Sequence, residues 1–349
     1  NTAALPTMSL DNAAGLTFDP AMNQFPVNRI NLFTGGLTNA NKLTLGNGGT
    51  TTGIIQIGNS GTATNAGSFD AAPTFNLGTG GQNIFYLRVT NPRSTGPEIN
   101  PGRVLTTLTI DDNDPTHVLK LTGGNLTVSS GTTPTYNLTN GVVDLNGNML
   151  TLGLSATTAG TMGTVGTTAY MFNGQFKRWI GTTTGNRDFP MGSSVYKRNA
   201  SINFTAAPST GGSLTASWSA AAPNFPNAAP LVDGTLIVDR AHAVGSWFID
   251  AADGLTGGTY TGTFTCNGTS NVADYTQLVL IKRPSAGGDW VLNGTHVTTT
   301  GSNTAPVLSR TGMTGFSEFA LGGNNLVVLP IGISWFKGNK QNGVHNLDW

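Results

Sequence analysis

The sequence predicts an all-β protein. An N-terminal region of parallel β-solenoid-like coils is expected first, with a sandwich as the alternative for that region; a β-sandwich and a terminal two-strand segment follow. Three observations lead there. Short runs alternate apolar residues with Thr, Asn or Lys, the period of two expected of a half-buried strand. Glycine is abundant, 48 of 349 residues, and it clusters with Asn between those runs, where it supplies positive φ at no steric cost. Charged residues make up only 10% of the chain, and Glu and Lys, which support solvated helices, are scarce.

The solenoid-like region is expected over residues 1–168. Its strands include Asn28–Leu32, Lys42–Leu45, Gly53–Ile57, Val104–Ile110, His117–Leu121, Asn125–Val128 and Met149–Leu152. Turns rich in Gly and Asn separate them, such as Thr34-Gly35-Gly36, Thr122-Gly123-Gly124 and Asn146-Gly147-Asn148. The stretch Leu121–Val128 loosely repeats Phe33–Ala40, and loose repeats suit coils that stack only on their neighbours. From residue 169 the texture changes. Aromatic residues accumulate and strands lengthen, for example Gly212–Trp218, Gly258–Phe264, Gln277–Arg283 and Asp289–Leu292. Residues 169–325 are therefore expected to form a sandwich of roughly seven to nine strands. Residues 326–349 are expected to add the strands Ile331–Phe336 and Val344–Trp349, joined by a turn over 338–343.

Charge and length narrow the function classes. Net charge is zero and no basic stripe is visible, which argues against a nucleic-acid partner or an anionic membrane surface. No apolar run reaches the roughly 18 residues of a membrane helix. The opening Asn1-Thr2-Ala3-Ala4 resembles the mature end expected after signal removal. The single cysteine, Cys266, is expected to be a buried strand thiol. The tryptophans at 179, 218, 247, 290 and 335 sit in alternating strands and are expected to pack in the core.

Chemistry-bearing sets are sparse. Asp111, Asp112, Asn113 and Asp114 form the densest acidic cluster, with side-chain oxygens suited to calcium, or equally to an Asx-rich turn. Only two glutamates exist, Glu98 and Glu318, and no pair of carboxylates is evident for glycoside hydrolysis. The four histidines are scattered without metal-ligand spacing, and neither a GxSxG elbow nor a phosphate loop is present. The expectation is a protein without enzymatic activity, and without a cofactor unless calcium binds.

One stretch carries a resemblance. Gly315-Phe316-Ser317-Glu318-Phe319-Ala320-Leu321-Gly322, followed by Leu329-Pro330-Ile331 and Asn346-Leu347-Asp348-Trp349, resembles a signature of large secreted surface proteins of the Bacteroidota. Arg93–Glu98, Phe176–Trp179 and Phe189–Gly192 resemble further hallmarks of that group. The resemblance implies export by the type IX route, display at the cell surface or release from it, and the start of a fibronectin-III-like module at the end of this chain. Only two strands of that module are present, and two strands alone are marginal in water. Leu329, Ile331, Ile333, Trp335, Val344, Leu347 and Trp349 are the apolar residues expected to pair with a neighbouring copy. The function expected is a structural subunit of an extracellular filament, sheath or matrix, self-associating into a homopolymer. The alternative is a surface adhesin or carbohydrate-binding module with an extracellular polysaccharide as partner.

Overall fold

A strand with alternating apolar residues has one face to bury, and stacking such strands in register buries it. The structure, a computed structural model, describes residues 4–324 apart from 62–65, 90–91, 113, 115–116 and 285–286, and the backbone of 337–341 and 344–348. It is all-β, and its N-terminal region is a β-solenoid of about six turns.

Each coil contributes one strand to each of three walls. The first wall is a parallel sheet of Met8–Asp11, Arg29–Thr34, Gly53–Gly58, Gln82–Leu87, Thr107–Asp111, Thr135–Asn140 and Thr161–Val165. Its inward positions repeat from coil to coil, although the register shifts after Leu10, after Ile110 and between Tyr136 and Leu138. Met8, Ile30, Ile55, Ile84, Leu108, Tyr136 and Met162 stack in one inward column, and Leu10, Leu32, Ile57, Tyr86, Ile110, Leu138 and Val165 in a second. Successive members lie one strand spacing apart, roughly 4.8 Å. On the outer face polar side chains answer one another between coils. Asn137 Nδ2 donates to Thr109 Oγ1 at 3.0 Å, and Asn140 Nδ2 to Asp111 Oδ1 at 2.6 Å.

Glycine and asparagine turn the corners between walls. Asn146 and Gly147, with φ of 52° and 76°, turn the chain from Val142–Asp144 in the second wall to Met149–Leu152 in the third. The register pairs Leu126, Thr127 and Val128 with Leu150, Thr151 and Leu152, so Leu121–Val128 and Leu145–Leu152 are equivalent stretches. The resemblance of Leu121–Val128 to Phe33–Ala40 is different in kind. The latter stretch turns from the first wall to the second, so those two occupy different corners. Val104–Ile110 likewise spans a corner: Val104–Leu105 belongs to the third wall and Thr107–Asp111 to the first.

Parallel pairing runs past residue 168. Tyr170–Phe172 and Gln175–Ile180 form the last strands of the coil stack in the second and third walls. Both walls then continue without a break into the sandwich. The second wall adds Gly185–Gly192, Lys197–Ala206, Thr259–Thr265, Ala305–Met313 and Thr295–Ser302, and the third adds Gly212–Ser219, Arg240–Ala252, Ser317–Gly323 and Val279–Arg283. The two extensions face each other across a core in which Trp247, Phe264 and Phe319 touch at 5.1 Å and 4.8 Å between ring centroids. Tyr136, Phe176 and Phe189, spaced 5.8 Å and 6.0 Å, carry the apolar interior from coils to sandwich. The expected strand Asp289–Leu292 is absent. Only Val291 pairs there, with Lys282, and Trp290 is buried against a loop instead.

The C-terminal strands are Lys337–Gln341 and Val344–Asp348, paired antiparallel. The first replaces the expected turn over 338–343. Gln341 pairs with Val344, and the two residues between them are Asn-Gly, the dipeptide that most favours a short connection. The expected strand Ile331–Phe336 lies outside the described residues.

Because two walls and one core cluster span coils and sandwich, the described body should unfold as a unit. The substitution Ile84→Ala empties part of an inward column and should cost about 2–5 kcal/mol. Every tryptophan lies beyond residue 168. Fluorescence should nevertheless report the same lowered melting temperature as far-UV circular dichroism. Two separated transitions would show that coils and sandwich fold independently.

Candidate functional site

The acidic loop after the first wall's fifth strand is spent on protein contacts. Asp111 accepts from Asn140 in the next coil. Asp112 Oδ1 lies 3.4 Å from His117 Nδ1, and Asp114 Oδ2 lies 3.6 Å from His117 Nε2. Asp112 also accepts from the Asp114 amide at 3.3 Å, an Asx turn, and burial raises its pKa above the usual carboxylate value. Asn113 lies outside the described residues. Among the described residues no group of three or more His, Cys, Asp or Glu side chains is placed to hold a metal ion, so the calcium expectation gains no geometry.

Both glutamates are buried and occupied. Glu98 Oε1 accepts from the Tyr86 hydroxyl at 2.7 Å and the Gly96 amide at 3.0 Å inside the coil stack. Gln82 donates to the Glu98 carbonyl and Asn100 to Gln82, so a polar network fixes the loop between second and third walls. Glu318 lies in the third wall's sandwich extension and pairs with Arg283 Nε at 2.7 Å, both side chains almost wholly buried. The motif residue that sequence alone leaves without a role thus neutralises a buried guanidinium. Beside it, Lys282 Nζ donates to the Thr314 carbonyl at 2.6 Å with no ion-pair partner among the described residues, and burial lowers its pKa to about 8.

Trp247 and Trp290 are core residues as expected; Trp335 lies outside the described residues. Trp218 and Trp179 are only half-buried. Cys266 is buried, takes a contact from Arg198 Nη1 at 2.9 Å, and burial pushes its thiol pKa up.

The sandwich treats its two outer strands differently. Val279–Arg283 is covered: Lys282 and Val291 exchange backbone hydrogen bonds of 3.1 Å and 2.7 Å. The loop carrying Asn224 and Asn227 is fastened there. Trp290 Nε1 donates to the Asn224 carbonyl at 2.8 Å, and Arg283 stacks 4.4 Å over the Trp290 ring. Thr295–Ser302 pairs only inward, with Ala305–Met313, and most of its side chains are exposed. Among the described residues no backbone partner answers its outer side. Among the described residues the terminal hairpin joins none of the larger sheets. Of the residues expected to mediate assembly, Val344 and Leu347 lie on its second strand, whereas Leu329, Ile331, Ile333, Trp335 and Trp349 lie outside the described residues.

A cleft of about 430 Å³ opens at the seam where the first wall ends and the other two continue. Thr161 and Met162 of the first wall's last strand line it, with Arg178 and Trp179 of the last coil and Arg187 at the start of the sandwich. Composition drew no attention to this place, although an arginine at an inward strand position was a readable signal.

No protein-family model, curated protein or solved structure matches this chain.

Replacing Glu318 by Leu strands the buried Arg283 charge and should destabilise the protein by about 3–5 kcal/mol. The double substitution Arg283→Met/Glu318→Leu should recover most of that loss in denaturant melts. Lys282 yields a pH effect. Its folded pKa lies below the unfolded value, so between about pH 8 and the ordinary lysine range the unfolded chain binds more protons. Stability from this group therefore rises with pH across that window. The Lys282→Met variant should lack the rise when its stability is compared with the parent's between pH 7 and 10.

Proposed function

We propose that the protein is a non-enzymatic structural subunit of an extracellular bacterial filament, sheath or matrix, assembling by strand addition. The observation that carries this reading is the terminal hairpin Lys337–Gln341/Val344–Asp348, which among the described residues pairs only with itself. A two-stranded hairpin is marginal alone and gains from an adjoining sheet edge. The open strand Thr295–Ser302 offers such an edge. Strand addition between identical copies is heterologous, and a heterologous contact that does not close makes a filament. The low charge of the chain favours the reading, since self-repulsion is weak. The engagement of both glutamates in internal contacts also favours it over a hydrolase. The signature around Glu318 supports export by the type IX route and a place at or beyond the cell surface. A carbohydrate-binding surface adhesin is the second reading, and the seam cleft is what favours it.

Negative-stain images of the full chain should show regular fibres. Deleting residues 337–349, or placing lysines on the open edge with Val297→Lys/Thr298→Lys, should leave folded, dispersed particles. Unchanged fibres in both variants, or a parent that never assembles, would refute the proposal.

A further inference from the structure

One inward column of the third wall breaks its own chemistry. Leu105, Val128, Leu152, Arg178 and Leu214 are register partners in succession, so a guanidinium occupies a place otherwise held by aliphatic side chains. Arg178 is 7% exposed. Its Nη1 donates to the Asp188 carbonyl at 2.8 Å, and its plane lies 5.7 Å from the Phe189 ring. Its Nε is buried and has no partner, and no carboxylate forms an ion pair with it among the described residues. Burial, and to a lesser degree the charge of Arg187, lower its pKa to about 10, although Asp188 opposes the shift. A buried charge left uncompensated is costly, and sequences tolerate such costs chiefly where they serve a site.

The surroundings suit an anion. Arg187 enters the same cleft, also without a carboxylate partner, its Nη2 donating to Thr183 Oγ1 at 3.0 Å. Thr157 and Thr161 also line it. Trp179 borders the cleft with Lys177 Nζ 5.0 Å from its ring centroid, and Lys177 is itself held by Asp253 at 2.7 Å. Two arginines, three threonines and one tryptophan lining a space of about 430 Å³ bring the side-chain types that fix a small, flat, hydroxylated anion. A planar fork matches a carboxylate, and an aromatic ring matches the C–H face of a sugar.

We infer that the seam cleft binds a carboxylate-bearing sugar, a uronate, with Arg178 and Arg187 taking the carboxylate and Trp179 contacting the ring. This site does not depend on assembly and stands if the filament reading falls.

Calorimetric titration of the full chain tests it, with glucuronate, a glucuronate oligomer, glucose and inorganic phosphate as probes. Glucuronate or its oligomer should bind at least about 10-fold more tightly than glucose or phosphate, the margin expected of charge-assisted hydrogen bonds. Tighter binding of the oligomer identifies a polysaccharide as the source and equal or weaker binding a free sugar acid; either upholds the carboxylate-sugar assignment. Arg187→Gln changes a half-buried lining residue and should weaken uronate binding about 10-fold or more without lowering the melting temperature of the unliganded protein. Arg178→Met should abolish binding. Glucose or phosphate binding as tightly as uronate, unaltered affinity in Arg187→Gln, or no uronate binding by the folded parent would overturn the inference.

Discussion

The structure depends on backbone hydrogen bonds being answered at the end of a stack. A parallel coil presents the same row of amide and carbonyl groups on its last strand as on every other, so a stack does not end itself. Here the second and third walls run on past the last coil. The second wall passes from Met171 to Met191 in parallel register and only then turns antiparallel, and the third wall turns antiparallel where Phe176–Ile180 meets Gly212–Ala216. The sandwich is thus the continuation of the coils by other connections. The long hairpins of the sandwich supply the aromatic packing that closes the interior. The first wall does stop, at Thr161–Val165, and that mismatch in wall length is what opens the seam.

A chain so poor in charge uses much of it internally. Arg178, Arg198, Lys282, Arg283 and Arg310 are all buried, five of 17 cationic side chains, and both glutamates join them. Arg310 ties the hairpin at Asp233 to the loop carbonyls of Asn293 and Gly294, and Arg283 holds the loop that covers one sheet edge. What remains for the surface is largely Thr, Ser, Asn and Gly. Such a surface resists close approach weakly, because few like charges must be brought together.

Much of this was legible in the sequence, for physical reasons. Alternation marks strands because successive side chains point to opposite faces, so Gly53–Ile57 and Met149–Leu152 could be placed closely. Corners were legible as Gly and Asn, but not which walls they joined. Leu121–Val128 and Phe33–Ala40 look alike because any corner needs positive φ, and only register separates one kind from another. The change in texture at residue 169 reflects larger side chains filling a wider interior, and pairing direction changes later. The terminal hairpin differs from the expected turn over 338–343 because Gln341 pairs with Val344, a short connection that the Asn-Gly dipeptide between them favours. The seam cleft was invisible because its residues come from three stretches that meet only when the walls close. Arg178, an arginine alternating with Phe176 and Ile180, was the one hint.

The repeated inward columns of the first wall have a consequence for length. Each coil presents to the next the same ladder it receives from the one before, so a whole coil could be inserted or removed in the middle of the stack without disturbing the sandwich. Such a change would alter the molecule's length in steps of roughly 4.8 Å while leaving both ends intact. A single residue added within a strand would instead turn the following inward side chains outward, unless a bulge absorbs it as between Met162 and Val165. The coil region is a ruler graduated in whole turns, and its reading can vary between related chains while whatever the sandwich holds stays the same.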